Sequence, residues 1–346
     1  MYTPPFNEDI RACGCGWDVG VRRYRTNRRL IRCRATESAL DAGPRESSGP
    51  GAIIRLFRYF HPADAAASAD WDQIAIRAVQ TVEDAQDASE LTSSLTVAFG
   101  PVSVGVAVFP TAAAQPSVRL KPAPHLIEWR HYGVGLSENN MYYSERVTRP
   151  ATGNATEIDV LRADLPGGVS CLVPRVLYAE SSGVIRLRRF GETQSRASAD
   201  NRGVRLAAVI IAWNVLQHFY PYFEISHSDW PGALTSALKS AATDDGPVQL
   251  LSTLRRMIAA LDDGHGRVTM TPAAAVSSPV GWDWVEGRIV LPDVSHASEP
   301  AIHRGDAVIA INGQPANDAL AAAEAEIFVR DAAVAACAGF ADRAAF

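Results

Sequence analysis

The residues best suited to chemistry stand together at Asp262-Asp263-Gly264-His265. A carboxylate two positions before an imidazole could form an acid–base pair or bind a metal ion. The same sequence also suits a structural corner, in which the aspartate binds turn amides, the glycine adopts a positive φ and the histidine packs locally. We favour the corner, because Gly264 follows a leucine-rich stretch and stands where a helix would stop.

Serine catalysis with a lysine base has few candidates in this chain. Lys121 and Lys239 are the only lysines among the 33 Lys and Arg residues. Lys121 precedes a proline in a predicted loop and Lys239 lies on a predicted helix, so neither has the surroundings of a catalytic base. Ser170 lacks the closing glycine of a nucleophile elbow, and we predict that it is an ordinary strand residue.

Metal and disulfide chemistry also lack a clear pattern. The cysteines are odd in number and irregularly spaced, so they predict no disulfide framework. They are Cys13, Cys15, Cys33, Cys171 and Cys337. The first three could hold a metal ion, but they lack a paired-ligand pattern. His218 and His227 are interpreted as surface or interface residues, and we expect no metal and no cofactor.

The composition excludes some function classes. The 346 residues carry a net charge of −5, with 47% hydrophobic and 21% charged residues, which gives no reason to expect a nucleic acid partner. No apolar run approaches the ~20 residues of a membrane span. The N-terminus has no basic start followed by an apolar stretch, so we expect no signal peptide.

Residues 1–50 lack a sustained apolar period and contain seven arginines between positions 22 and 34. One interpretation is a basic arm for nucleic acid or an acidic partner. We favour a disordered basic tail, or wrong-frame translation upstream of the true gene start. No aromatic or motif pattern in this segment supports RNA recognition.

Hydrophobic periodicity predicts helices in the next segment. Apolar residues recur at helical spacing from Ile53 to Phe60. Asp70 suits the N-cap of a second helix from Trp71 to about Val82, and a third apolar segment starts near Leu91.

Strand-like patterns follow the first helices. Residues 101–110 alternate as a strand does, between two prolines. Residues 117–195 contain short strand-like runs separated by Gly, Asn and Pro, which predicts a β-rich domain. Residues 189–203 have the composition of a polar linker.

A second set of helices follows the linker. Arg205–Phe219 carries one apolar stripe and stops before Pro221. Asp229 suits the N-cap of a helix that begins at Trp230, and a leucine-rich third helix follows.

The two helical stretches match each other at an offset of 159 positions without a gap. This offset aligns Phe60 with Phe219, Pro62 with Pro221, Asp70 with Asp229, Trp71 with Trp230, Leu91 with Leu250 and Leu95 with Leu254. The period is too long for a solenoid, so we interpret it as a domain-level duplication. Only the second copy keeps the Asp-Gly-His ending.

The second copy resembles a known family. An aromatic-rich helix, the Asp229-Trp230 helix start, and a leucine-rich helix ending in L-x-D-G-H-x-x-V resemble the tail-specific, or C-terminal processing, serine peptidases. In that family a helical region precedes a PDZ-like module, and the catalytic core follows. The resemblance covers about residues 203–328, with a weaker echo at 53–96.

The residues after position 279 fit the same order. Residues 280–294 predict a strand pair with a Glu-Gly turn. The next segment resembles the PDZ signature, with a Gly305-Asp306 turn, an alternating strand and an Asn312-Gly313 turn. Pro315–Ile327 would be the helix that flanks the peptide groove, since a peptide adds to such modules as an edge strand.

The resemblance predicts that Gly305 and Asp306 contribute to peptide binding, and that the apolar residues Ile309, Ile311 and Leu320 form the groove. They could equally be core positions of a partial module. The residue patterns and the resemblance together predict an α+β chain with duplicated three-helix units, a β-rich middle domain and a partial PDZ-like module. The expected divisions are a disordered basic tail (1–50), a degenerate helical repeat (51–116), a β-rich domain (117–195), a helical peptidase N-terminal domain (203–272), the PDZ-like module (279–328) and an irregular tail (329–346).

The resemblance implies a serine-type peptidase whose partners are peptides or the C-termini of unfolded proteins. The family uses a Ser nucleophile and a Lys base that lie after the PDZ-like module. Neither has a counterpart here, so we expect a truncated peptidase that is inactive as an isolated chain, or a gene fragment with frameshifts at both ends. The alternative is a non-catalytic scaffold that binds peptides. Family members commonly act outside the cytoplasm, which leaves the compartment open.

Overall fold

A computed structural model describes the fold. The described residues are 9–12, 17–21, 50–134, 142–151, 158–180, 197–226, 228–264, 266–270, 281–294 and 302–326. They form an α+β protein with several small antiparallel sheets, as the sequence predicts. Within these ranges, no helix is both long enough and apolar enough to cross a membrane.

The chain forms two compact units. The first unit contains the described residues between 25 and 221. Its helices are α1 (Pro50–Tyr59), α2 (Asp64–Ala67), α3 (Trp71–Val82), α4 (Ala88–Phe99) and α5 (Arg202–Phe219). Its strands are β3 (Ala107–Pro110), β4 (His125–Val134), β5 (Tyr142–Pro150), β6 (Val160–Leu165), β7 (Val169–Pro174) and β8 (Val176–Ala179).

Local caps explain where these helices begin. The Asp70 carboxylate accepts the Gln73 amide N–H at 3.0 Å and so starts α3. Asp87 accepts two amides at the start of α4. Helix α5 packs against α1 and α3. Residues 203–216 are buried around its whole circumference, a wider apolar surface than the single predicted stripe.

The strands of the first unit form two three-stranded antiparallel sheets, in the orders β3-β7-β6 and β5-β4-β8. Every residue of β7 is buried. The predicted strand over residues 101–110 is wrong in its first half. Gly100–Val102 continues α4 as a 3-10 turn and Gly105 adopts a φ of 68°, so extended pairing begins only at Ala107.

The second unit contains the described residues from Tyr222 onward, together with β2 (Trp17–Val21) and most of β1 (Asp9–Ala12). Its helices are α6 (Phe223–Ser226), α7 (Trp230–Thr243), α8 (Pro247–Ala259) and α9 (Ala316–Glu324). Its other strands are β9 (Gly266–Met270), β10 (Asp283–Val285), β11 (Arg288–Val290), β12 (Ala310–Ile311) and β13 (Gln314–Pro315).

Two segments of residues 1–50 differ from the disorder expected there. β2 pairs antiparallel with β9, from Trp17 opposite Met270 to Val21 opposite Gly266. β1 lies on the other side of β2, in the order β1-β2-β9. The described part of this segment therefore forms a sheet with β9, the strand that follows the Asp-Gly-His sequence.

The helix starts repeat at the predicted offset. α3 and α7 begin at Trp71 and Trp230, and α4 and α8 begin at Ala88 and Pro247, each 159 positions apart. α3 packs on α4 and α7 packs on α8. The first helices of the two copies, α1 and α5, pack together in the first unit, whereas the sequence groups α5 with residues 203–272.

Candidate peptide-binding site

Residues 281–326 form a small module that begins with a tight hairpin. β10 pairs with β11 through Asp283 opposite Val290 and Val285 opposite Arg288. The two residues between the strands, Glu286 and Gly287, both have positive φ, of 50° and 77°. This is the backbone of a two-residue type I′ turn, so the predicted strand pair with a Glu-Gly turn is confirmed.

The Gly305-Asp306 turn directs the chain back along β11. Gly305 has a φ of 92° and open space around its Cα. The backbone conformation, and not a lack of room, is therefore the reason that glycine is favoured here. The Gly305 amide donates to Leu291 O at 2.9 Å, and the Leu291 amide donates to Asp306 O at 3.0 Å. The Asp306 carboxylate accepts the His303 amide N–H at 2.7 Å and stabilises the turn.

The Asn312-Gly313 turn joins β12 to β13. Asn312 and Gly313 have φ of 50° and 80°, again a type I′ pair, which confirms the predicted Asn-Gly turn. The Ala316 amide donates to Ile309 O at 3.0 Å, and α9 starts there. The predicted flanking helix is therefore present, although it ends at Glu324 in the described residues.

The module encloses a small apolar core. Ile289, Ala316 and Leu320 are each at most 4% exposed, and the partly buried Ile311 packs against them. Trp282, Trp284 and Val308 also pack against this core. Two of the three predicted groove residues, Ile311 and Leu320, are thus brought together inside the module. Since Leu320 is buried, it supports the fold and has little surface to offer a ligand.

Ile309 has a different environment from the other two groove residues. Its side chain is 85% exposed, the highest exposure among the large exposed hydrophobic residues of the described chain. Burying an isoleucine side chain contributes roughly 1.5–3 kcal/mol. An exposed isoleucine beside a formed core can therefore add apolar contact area to a ligand that covers it.

The backbone edge is open at Ala310, next to Ile309, whereas the Val308 amide on the same edge donates to Ile289 O at 2.8 Å. Ile309 O accepts the Ala316 amide N–H on the β13 side, and Ile311 lies opposite Gln314 beside the turn. Because backbone groups alternate sides along a strand, the N–H and C=O of Ala310 face away from β13. β12 has no second strand partner among the described residues, and Ala310 is exposed. The sequence did not single out Ala310.

The Asp-Gly-His sequence forms the connection between α8 and β9. The left-handed residue that ends the helix is Asp262, with a φ of 56°, which an aspartate tolerates. The helix stop expected at Gly264 therefore comes two residues earlier. Asp263 O accepts the Gly266 amide N–H at 3.0 Å, as a corner requires. His265 lies outside the described residues.

The start of α7 is as predicted. The Asp229 carboxylate accepts the Gly232 amide N–H at 3.0 Å, and Trp230 is 1% exposed in the core. Both residues therefore have structural positions. Within the described ranges, no group of three or more His, Cys, Asp or Glu side chains could hold a metal ion.

No protein-family model matches the chain, and no curated protein sequence matches it. The residues of the site therefore provide the indication of what it can bind. An exposed apolar side chain beside an open N–H and C=O can bind one short extended segment of peptide.

The candidate residues for serine catalysis do not have the environments that this chemistry needs. Lys121 and Lys239 are both exposed, in a loop and on α7. A lysine becomes a base near neutral pH only when burial or nearby charge lowers its pKa. Ser170 is fully buried on β7, and its hydroxyl donates to Asp164 Oδ1 at 2.6 Å. The prediction that Ser170 is a strand residue is confirmed.

Proposed function

We propose that this chain is a member of the tail-specific serine peptidase family and that residues 281–326 bind peptide C-termini or unfolded segments. The sequence order supports this proposal, with a helix pair that begins at the Asp229 cap, then L-x-D-G-H-x-x-V, and then a module with Gly-Asp and Asn-Gly turns. The observation that carries it is the exposed Ile309 beside the open backbone of Ala310. A peptide strand would pair with Ala310 and cover Ile309.

In this proposal the described residues bind peptide without cleaving it. Lys121 and Lys239 are both exposed, so neither has the desolvation that a serine peptidase's lysine base needs. The purified chain should leave an unfolded protein or a C-terminally tagged peptide intact. Hydrolysis that is abolished by Lys239→Ala would contradict this assignment.

Titration with fluorescent C-terminal peptides tests the binding site. Binding should be saturable but weak, because the open edge offers one N–H and one C=O. Ile309→Ala should weaken it about fivefold to tenfold, the effect of removing roughly 1–1.4 kcal/mol of apolar contact. Val97→Ala is the matched control, since Val97 is 73% exposed on α4 in the first unit. Absence of saturable binding, or equal effects of the two substitutions, would refute the site.

A non-catalytic scaffold protein could use the same edge for peptides. The two proposals differ in whether a catalytic core is encoded beside this sequence. Translating the neighbouring DNA in all frames separates the two, because a tail-specific peptidase requires a Ser and Lys core. Finding no such core in any frame would favour the scaffold.

A further inference from the structure

The C-terminal part of α1 carries hydrogen-bond donors that have no acceptor among the described residues. Arg55 Nε, Arg58 Nη1 and the Tyr59 hydroxyl are all buried atoms without a hydrogen-bond partner. These residues are three and four positions apart, so they share one face of α1. Buried polar atoms are rarely left unpaired, because the lost hydration is not replaced. Since the described residues supply no acceptor for these three donors, this helical face is suited to bind one from a ligand.

His218, in the last turn of α5, closes one side of this cluster. Its ring stacks on Tyr59 with 4.3 Å between centroids and 5° between planes. The Arg58 guanidinium carbon lies 5.3 Å from the centre of the same tyrosine ring, and that of Arg55 lies 5.8 Å from the Phe60 ring. The aromatic rings therefore hold both guanidinium groups in place.

The cluster has an excess of positive charge. Neither Arg55 nor Arg58 has an acidic partner among the described residues. The pKa of His218 is well below its usual value, first because of burial and then because of His131 and the two arginines. The imidazole therefore stays neutral, and the net charge comes from the guanidinium groups.

We propose that Arg55, Arg58 and Tyr59 bind a compact oxyanion, the phosphate or carboxylate group of a small ligand. Guanidinium and phenol N–H and O–H groups match the several lone pairs of such an anion. Both arginines are half-buried, so solvent reaches them while the aromatic rings shield the contact from water. The site lies in the first unit and does not depend on peptide binding by residues 281–326.

Isothermal titration calorimetry of the full chain tests this site. Inorganic phosphate is one titrant and acetate the other, at constant ionic strength set with chloride. Saturable binding of either anion is expected, and comparison of the two identifies the group that the site prefers. Arg58→Gln should weaken binding at least about tenfold, the effect of losing one charge-assisted hydrogen bond.

Two further variants keep the test decisive. Arg119→Gln removes an exposed charge of the same unit and should leave the affinity unchanged. Tyr59→Phe keeps the ring on which His218 stacks and removes only the unpaired hydroxyl, so it should fold normally and bind about threefold to tenfold more weakly. Absence of saturable binding, or binding unaffected by both Arg58→Gln and Tyr59→Phe, would overturn the proposal.

Discussion

Glu326→Gln should lower the free energy of unfolding by about 3 kcal/mol, because it breaks a buried ion pair. Glu326 Oε2 lies 3.5 Å from Arg255 Nη1, and the two side chains are only 5% and 9% exposed. Arg255 is on α8, and its Nε also donates to Val268 O in β9 at 3.1 Å. The ion pair thus joins the end of α9 to the helix and strand on either side of the Asp-Gly-His sequence.

The magnitude follows from the separation of the charges. Two unit charges 3.5 Å apart attract by about 5 kcal/mol at an effective dielectric constant of about 20. Part of this loss is offset, because a neutral amide is easier to bury than a carboxylate. Arg255 also keeps its bond to Val268 O. Breaking a buried ion pair by removing one charge costs roughly 3–5 kcal/mol, and the expected loss lies at the lower end of this range.

Urea unfolding at low and high salt measures this effect. The exposed ion pair of Arg202 with Glu83, whose side chains are 50% and 37% exposed, provides the control. Glu83→Gln should cost less than about 1 kcal/mol and its effect should shrink in about 1 M NaCl, because exposed pairs are screened. The effect of Glu326→Gln should persist. A cost below about 1 kcal/mol, or equal salt dependence in the two variants, would refute the reasoning.

Three further predictions concern the caps, a turn and a buried histidine. Asp70→Ala and Asp229→Ala should each lower the free energy of unfolding by about 1 kcal/mol in urea titrations, and a loss at only one site would contradict their equivalence as caps. Gly313→Ala should lower thermal stability by about 1 kcal/mol, because its φ is 80°, whereas Gly100→Ala, with a φ of −44° and open space, should not. Burial lowers the pKa of His61 to about 4, so the unfolded chain takes up the proton first. The free energy of unfolding should therefore fall as the pH drops from about 6.5 towards 4, by up to about 1.4 kcal/mol per pH unit. Urea titrations at several pH values measure this slope, and a His61→Gln variant with an equally steep slope would contradict the prediction.

The features that sequence reasoning predicted well depend on neighbouring residues only. The caps at Asp70 and Asp229 and the turns at Glu286-Gly287 and Asn312-Gly313 all form as expected. Each is decided within four residues, either by a short carboxylate that reaches a free amide or by a residue pair that tolerates positive φ. Distant parts of the chain do not alter these local choices.

The features that it missed depend on distant partners. β2 pairs with β9 across more than two hundred residues, and no local pattern in the arginine-rich segment indicates that partner. His218 lies in the last turn of a helix, which suggests a surface position, yet it stacks on Tyr59. Nothing near either residue in sequence marks the contact, because the packing of α1 on α5 creates it.

The candidate site shows why an apolar pattern alone cannot separate a core from a groove. Val308 to Ile311 is a short run in which three of four residues are large and apolar, so the sequence fits two alternations. The structure follows neither alternation, because Val308 and Ile311 both pack against the core, whereas residues two apart, such as Ile309 and Ile311, share a face in a regular strand. Ile311 packs on Leu320, while Ile309 stays in solvent. Had all three been buried, none of the predicted groove residues would offer an apolar contact to a peptide. The exposure of Ile309 is therefore what makes binding by this module testable with a single substitution.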